Sequence, residues 1–148
     1  MKRKPIIAAN WKMHMTPQET DEFLRSFNRL LGSRDVVDVV VAPPFVSLAA
    51  AADLTRPSEN IAIAAQNMSP EPAGAFTGEI SARMIKELDC DYVILGHSER
   101  RIAHGETDAM VAAKVGSALD AGLRIILCCG ESEATRDAGE AEAFVLGQ

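Results

Sequence analysis

The sequence is poor in several kinds of residue, and each shortage excludes a class of protein. Its 148 residues include three cysteines, one tryptophan, one tyrosine and five phenylalanines. Because the cysteines are odd in number and Cys128 and Cys129 are adjacent, we expect reduced thiols in the cytoplasm rather than a disulfide framework. No apolar run reaches the ~18 residues of a membrane span, and the run after the basic N-terminus is too short for a signal peptide. We therefore expect a cytoplasmic protein with no membrane partner.

Basic residues are also in the minority, since 15 lysines and arginines face 21 aspartates and glutamates, for a net charge of −6. No basic stripe is interleaved with aromatic residues, so a nucleic-acid partner is not expected. The sequence has no glycine-rich phosphate loop and no nucleophile elbow of the hydrolase type. The three histidines, His14, His97 and His104, lie too far apart and lack the companion ligands of a metal site. We expect neither a metal nor a cofactor.

The residues that are present form a regular alternation of two kinds of segment. Hydrophobic residues make up 47% of the chain and charged residues 24%, which is typical of a globular protein. Short β-branched runs predict strands near residues 6–11, 36–42, 60–65, 91–96 and 124–129. Longer segments between them predict helices near residues 16–31, 46–54, 79–88 and 107–121, and from residue 132 onward. Strand–helix pairs repeated in this way indicate parallel βαβ units within one domain, residues 1–148.

Two architectures fit five such units, namely an open doubly wound sheet and part of a (β/α)₈ barrel. Periodicity alone does not decide between them. A complete barrel needs about 250 residues, so five units would leave a barrel unclosed. The first and fifth strands would then be edges with unpaired backbone groups. From those edges we expect self-association, partial unfolding or pairing with a complementary fragment.

In both architectures ligands collect at the carboxyl ends of the strands. After the first strand, alternation places Asn10 and Lys12 on one side, where they suit an anionic substrate with a polar carbon skeleton. After the fourth strand comes His97, which shares its face with Val93 and Leu95, and we assign that face to the interior of the barrel. The sequence therefore predicts an amide, a cation and an imidazole at one end of the sheet.

Each of these residues also has a simpler interpretation. Lys12 taken alone is more often a solvated surface residue. A histidine at a strand end, such as His97, is as often a helix cap or a partner of a carbonyl group. The charged residues 98–101 are also typical of a helix start with exposed ion pairs.

Three segments carry a resemblance that these patterns alone do not provide. They are NWKM at residues 10–13, GAFTGEIS at residues 74–81 and GHSERR at residues 96–101. They resemble the signature segments of the triosephosphate isomerase family, in the same order and at similar spacing, and CCGE at residues 128–131 resembles the end of that family's fifth strand. The resemblance covers essentially the whole chain. It implies an α/β fold, an incomplete TIM (β/α)₈ barrel of five parallel βα units, about 60% of the full barrel.

The resemblance also implies an activity and roles for individual residues. The family interconverts D-glyceraldehyde 3-phosphate and dihydroxyacetone phosphate by proton transfer through an enediolate. His97 matches its electrophilic histidine, which a helix starting near Ser98 would keep neutral. Lys12 matches the substrate-binding lysine, which offsets phosphate and enediolate charge, and Asn10 matches its substrate-binding partner. Glu99 resembles the family's buried carboxylate beside that lysine, and Ser98 a polar neighbour of the histidine.

The family places its glutamate base on the sixth unit, with a lid loop and further phosphate-binding loops after it. Glu131 and Glu133 come too early and lack the surrounding motif, so we assign neither as the base. We therefore expect this chain to lack the general base and to be inactive alone. The chain stops in a helical region, which suggests truncation of a longer gene.

Residues 66–79 resemble the family's dimer loop, in which the residue matching Thr77 reaches the Asn10–Lys12 region of a partner subunit. The resemblance therefore implies a homodimer for the full-length family, whereas the simpler interpretation is a mobile surface loop. Two other functional hypotheses stay open. One is a truncated, non-catalytic binding or assembly module that uses this loop, and the other is a different phosphate-sugar enzyme on the same fold.

Overall fold

A computed structural model describes residues 3–31, 36–57 and 60–148. Its centre is a parallel sheet of five strands, β1 (Ile6–Asn10), β2 (Asp38–Ala42), β3 (Ala62–Ala65), β4 (Tyr92–Leu95) and β5 (Arg124–Leu127). The strands neighbour one another in chain order, whereas a doubly wound sheet changes direction at a switch point. The sheet curls into a half-barrel, so the predicted incomplete TIM barrel of five parallel strands is confirmed. Each strand lies within its predicted segment.

Seven helices connect or follow the strands within the described ranges. They are α1 (Pro17–Leu31), α2 (Phe45–Thr55), α3 (Ala82–Glu87), α4 (Ser98–His104), α5 (Asp108–Asp120), α6 (Glu133–Asp137) and α7 (Ala141–Gly147). Helix α1 begins at a capping box, because the Glu19 carboxylate accepts from the Thr16 N–H at 2.7 Å and Thr16 Oγ1 accepts from the Glu19 N–H at 3.3 Å. No helix in the part of the chain that the structure describes is long and apolar enough to cross a bilayer.

Two predicted helices differ from the observed ones for local reasons. Helix α3 starts three residues later than predicted, since Ser81 is extended and its hydroxyl accepts the Met84 N–H as an N-cap. The final segment, predicted as one helix, is split into α6 and α7. Gly139 lies between them with φ at +76°, a left-handed conformation that ends a helix.

The two faces of the sheet have different neighbours. Val93 and Leu95 of β4 pack with buried residues of α1, α2 and α5 in the main core. Tyr92 and Ile94 point to the opposite, concave face. The prediction that Val93 and Leu95 face the interior is therefore wrong. It assumed that strand alternation continues to His97, but β4 ends at Leu95 and Gly96 turns the chain.

Burial falls from the centre of the sheet to its edges. All residues of β4 are buried, whereas the apolar side chains of β1 are largely exposed, with Ile6 at 52% and Ile7 at 62%. In β5, Leu127 is 54% exposed although its register partner Leu95 is fully buried. The edge strands are thus apolar in sequence but are not covered in this structure.

Candidate active site

The end of β1 positions Asn10 and Lys12 through a tight local turn. The strand ends at Asn10, whose Oδ1 accepts the backbone N–H of Lys12 at 3.0 Å. Lys12 has φ at +54°, a conformation that residues other than glycine rarely adopt. Trp11 between them packs against the main core. The amide and the ammonium are therefore held at the rim, with the indole behind them.

Gln66 joins this turn to the neighbouring strands. It follows β3 directly, and its Nε2 donates to the carbonyl oxygens of Lys12 and of Ala42, each at 2.8 Å. Gln66 was not among the residues predicted for the site. The available signal was its place at the carboxyl end of a buried strand, the same kind of position that identified Asn10.

The end of β4 positions His97 in a different way. Gly96 has φ at +71°, and a Cβ there would lie 3.0 Å from the Cys128 carbonyl oxygen, so a larger side chain would be strained and crowded. His97 follows as the N-cap of α4, and its Nδ1 accepts the Glu99 N–H at 3.3 Å. Because Nδ1 accepts, a neutral ring carries its proton on Nε2. The imidazole, 23% exposed, then offers an N–H donor to a ligand.

Glu99 links the two strand ends by an ion pair. Lys12 Nζ donates to Glu99 Oε1 at 2.7 Å, and this hydrogen bond lowers the pKa of the Glu99 carboxyl from its ordinary value. The two side chains are 50% and 56% exposed. The expectation that Glu99 is buried is therefore wrong in this structure, because Glu99 lies in the first turn of α4 with its side chain largely exposed.

Four of the predicted residues, Asn10, Lys12, His97 and Glu99, line one cavity of about 270 Å³, together with Gln66, Asn67 and Arg100 among others. Ser98 does not line it and instead borders a neighbouring cavity with Cys129 and Glu131. Thr77 lies in the exposed loop and lines neither. The structure thus brings Asn10, Lys12 and His97 together, as the strand-end argument predicted.

A buried ionic cluster that was not predicted from the sequence borders the cavity. Glu106 Oε1 accepts from Lys114 Nζ and from Arg100 Nε, each at 2.6 Å. Lys114 also donates to Asn67 Oδ1 at 2.9 Å. Burial raises the pKa of the Glu106 carboxyl, but the hydrogen bonds from Lys114 and Arg100 outweigh it and the net shift is downward. This cluster, residues 67, 100, 106 and 114, ties the end of β3 to α4 and α5.

Glu131, another acidic residue at the rim, is already paired. Glu131 Oε1 accepts two hydrogen bonds from Arg136, at 2.8 and 2.6 Å, which lower the pKa of its carboxyl. A carboxylate held in this way is a weaker proton acceptor. Across residues 3–31, 36–57 and 60–148, no three histidine, cysteine or acidic side chains are grouped to hold a metal ion.

Parallel strands in chain order, with polar side chains at their carboxyl rim, define the chain as part of a β/α-barrel. A family model described as triosephosphate isomerase matches residues 5–148. The chain therefore belongs to the triosephosphate isomerase family.

Curated relatives agree with this assignment. The triosephosphate isomerase of Symbiobacterium thermophilum is 51% identical over 142 residues, which cover 95% of this chain and 55% of the relative. Those of Herpetosiphon aurantiacus and Chloroflexus aurantiacus are 47% and 48% identical over 146 residues, or 99% of this chain and 58% of each relative. The chain thus spans a little over half the length of the relatives that it matches.

Proposed function

We propose that Asn10, Lys12 and His97 form the electrophilic part of an isomerase site. This site interconverts D-glyceraldehyde 3-phosphate and dihydroxyacetone phosphate through an enediolate. The observation that carries the proposal is the meeting of Asn10, Lys12 and His97 at one cavity. Membership of the family supplies the substrate class, a phosphorylated triose. The chain spans 55–58% of the named relatives, so the activity is proposed for the whole site of which these residues would form part.

His97 is assigned as the electrophile. When a base removes the proton next to the substrate carbonyl, the electron pair moves to the carbonyl oxygen, and that oxygen needs a donor. The hydrogen bond from the Glu99 N–H to Nδ1 orients the ring so that its Nε2–H is free to donate. A neutral donor avoids placing an imidazolium near Lys12, and this matches the established chemistry of the family.

Lys12 and Asn10 are assigned to substrate binding. The Lys12 ammonium is half exposed and can offset the charge of a phosphate and of the enediolate. The Asn10 side chain holds the Lys12 backbone, and both residues line the cavity. Glu99 supports Lys12 through their ion pair, and Ser98 supports His97 as the first residue of α4.

The general base is assigned to neither Glu131 nor Glu133, and the relatives contain further sequence in which the family's glutamate would lie. General base catalysis contributes about 10²–10⁴-fold to rate. We therefore expect the isolated 148-residue polypeptide to give no useful turnover. A rate near that of a full-length relative would contradict this expectation.

A fusion protein tests the proposed site directly. Residues 1–148 would replace the matching part of the Symbiobacterium thermophilum relative, and isomerase turnover would be measured in both directions. We expect an active fusion that loses most of its kcat on His97→Gln, while the control His14→Asn, at an exposed position outside the cavity, keeps it. A folded but inactive fusion, or an active His97→Gln variant, would contradict the proposal.

The loop at residues 66–79 supports a second proposal, that the full-length protein is a homodimer with Thr77 directed at the partner. The loop is held at its base, where the Ser69 N–H donates to the Ile80 carbonyl at 2.8 Å, whereas residues 71–79 are exposed. At its tip the Phe76 side chain is 47% exposed. A held loop with an exposed aromatic tip also favours the alternative function, a binding module.

Light scattering of the fusion tests this assignment. Phe76→Ser should shift the fusion toward a monomer, because it removes apolar area from the proposed interface. Leu119→Ser is the control, since Leu119 is 61% exposed on α5 and does not belong to residues 66–79. Equal oligomeric states in both variants would count against the loop as the interface.

A further inference from the structure

The backbone at Lys12 is held in a conformation that its own residue type disfavours. Lys12 has φ at +54°, in the left-handed region, where a side chain with a Cβ is strained. Such a conformation persists only where neighbouring groups determine it. Asn10 Oδ1 accepts the Lys12 N–H at 3.0 Å. A second contact holds the Lys12 carbonyl group.

The Gln66 amide supplies that second contact. Its Nε2 donates to the Lys12 carbonyl at 2.8 Å and to the Ala42 carbonyl at the end of β2, also at 2.8 Å. The Ala42 carbonyl in turn accepts the Trp11 N–H at 3.0 Å. One side-chain NH₂ group therefore uses both protons to fix the turn after β1 against the neighbouring strand end.

We propose that Gln66 is a positioning residue for Lys12, holding its backbone so that the ammonium reaches Glu99 across the cavity mouth. Gln66 acts through the Lys12 carbonyl, so this role requires no direct contact between Gln66 and the substrate. The positioning role concerns contacts within this chain and does not depend on a bound ligand. Only the consequence for turnover rests on the proposed function.

The ion pair between Lys12 and Glu99 gives a readout that a general loss of stability would not produce. The hydrogen bond from Lys12 lowers the pKa of Glu99, so this pKa reports whether the ammonium is in place. Gln66→Met keeps the side-chain length and removes the donor. Gln18→Met is the matched control, because the Gln18 amide donates to Glu22 on the exposed side of α1, at 3.0 Å.

The first experiment measures the Glu99 pKa by NMR titration in the 148-residue protein without ligand, with Lys12→Met as the reference for complete loss of the pair. We expect Gln66→Met to raise the Glu99 pKa most of the way to the Lys12→Met value, and Gln18→Met to leave it unchanged. A Gln66→Met protein with the original Glu99 pKa would overturn the proposal.

The second experiment covers the case in which Gln66→Met folds poorly. Glycine adopts φ near +54° without strain. In Lys12→Gly the turn should therefore depend less on the hydrogen bond from Gln66 to the carbonyl group of residue 12. We expect Gln66→Met to lower the urea midpoint less in the Lys12→Gly background than in the original chain, or to fold only in that background. Equal losses in both backgrounds, or failure to fold in both, would overturn the proposal.

Neither experiment measures turnover, so the proposed function can fail while the positioning role stands. An inactive fusion with a shifted Glu99 pKa in Gln66→Met would reject only the function. An active fusion with an unshifted pKa would reject only the role of Gln66.

Discussion

Two lysine–glutamate pairs in this protein have almost the same length and opposite surroundings. Lys114 and Glu106 are 2.6 Å apart with side chains 6% and 2% exposed, whereas Lys12 and Glu99 are 2.7 Å apart with side chains 50% and 56% exposed. Removing one partner of a buried pair strongly lowers the free energy of unfolding, because the other charge is left without compensation. An exposed pair contributes little to stability. The comparison suggests that the first pair maintains the fold, and that the second is available to a ligand.

Removing one partner of the buried pair should have the largest effect. Lys114→Met would leave the Glu106 carboxylate with Arg100 alone and would free Asn67, so we expect a loss of about 3–5 kcal/mol in the free energy of unfolding. Urea denaturation measures it. Lys12→Met is the matched control, and its midpoint should stay close to that of the original chain. Similar losses in the two variants would remove the distinction between the pairs.

An apolar pair extends the comparison to the centre and the edge of the sheet. Leu95 and Leu127 are register partners on β4 and β5, but Leu95 is fully buried and Leu127 is 54% exposed. We expect Leu95→Ala to lower the free energy of unfolding by about 2–5 kcal/mol, as for other leucines removed from a packed core. Leu127→Ala should lower it clearly less. Equal costs would show that the β5 edge is covered in solution, for example by self-association.

Acid should weaken the buried pair. The folded-state pKa of Glu106 is lowered, so the folded protein binds fewer protons than the unfolded chain between that value and the ordinary 4.5. Its contribution is therefore complete above pH 4.5 and is lost as the pH falls through the folded-state pKa. We expect the stability of Glu106→Gln to fall less steeply with acid than that of the original chain. A parallel fall in both proteins would contradict the assignment.

Much of the fold follows from the sequence for physical reasons. The β-branched runs predict five strands because each is apolar on both faces, as a covered parallel sheet requires. The carboxyl-rim rule then predicts that Asn10, Lys12 and His97 meet, and the structure places all three on one cavity. This part of the site was predictable because it depends on strand direction and order, which the topology determines.

The parts that were missed depend on contacts between distant residues. Lys114 lies in α5, where a lysine is normally solvated, and only the packing of Glu106 and Asn67 around it shows that it is buried. Leu95 was assigned to the wrong face of the sheet because the alternation of strand residues was continued past Gly96 to His97. The positive φ of Gly96 breaks that alternation. The two hydrogen bonds of Gln66 likewise could not be predicted from the sequence, because their acceptors are backbone carbonyl groups, of Lys12 after β1 and of Ala42 in β2.

The central claim is that a neutral His97, oriented by the Glu99 backbone, shares one ligand site with Lys12. Nitrogen-15 NMR of the histidine rings tests it most directly, during titration with phosphoglycolate, whose phosphate and planar carboxylate resemble the enediolate. We predict that His97 is neutral with its proton on Nε2 and that the His97 and Lys12 side-chain signals shift together, while His14 does not respond. A His97 ring protonated on Nδ1, or a ligand response at only one of the two residues, would contradict the account.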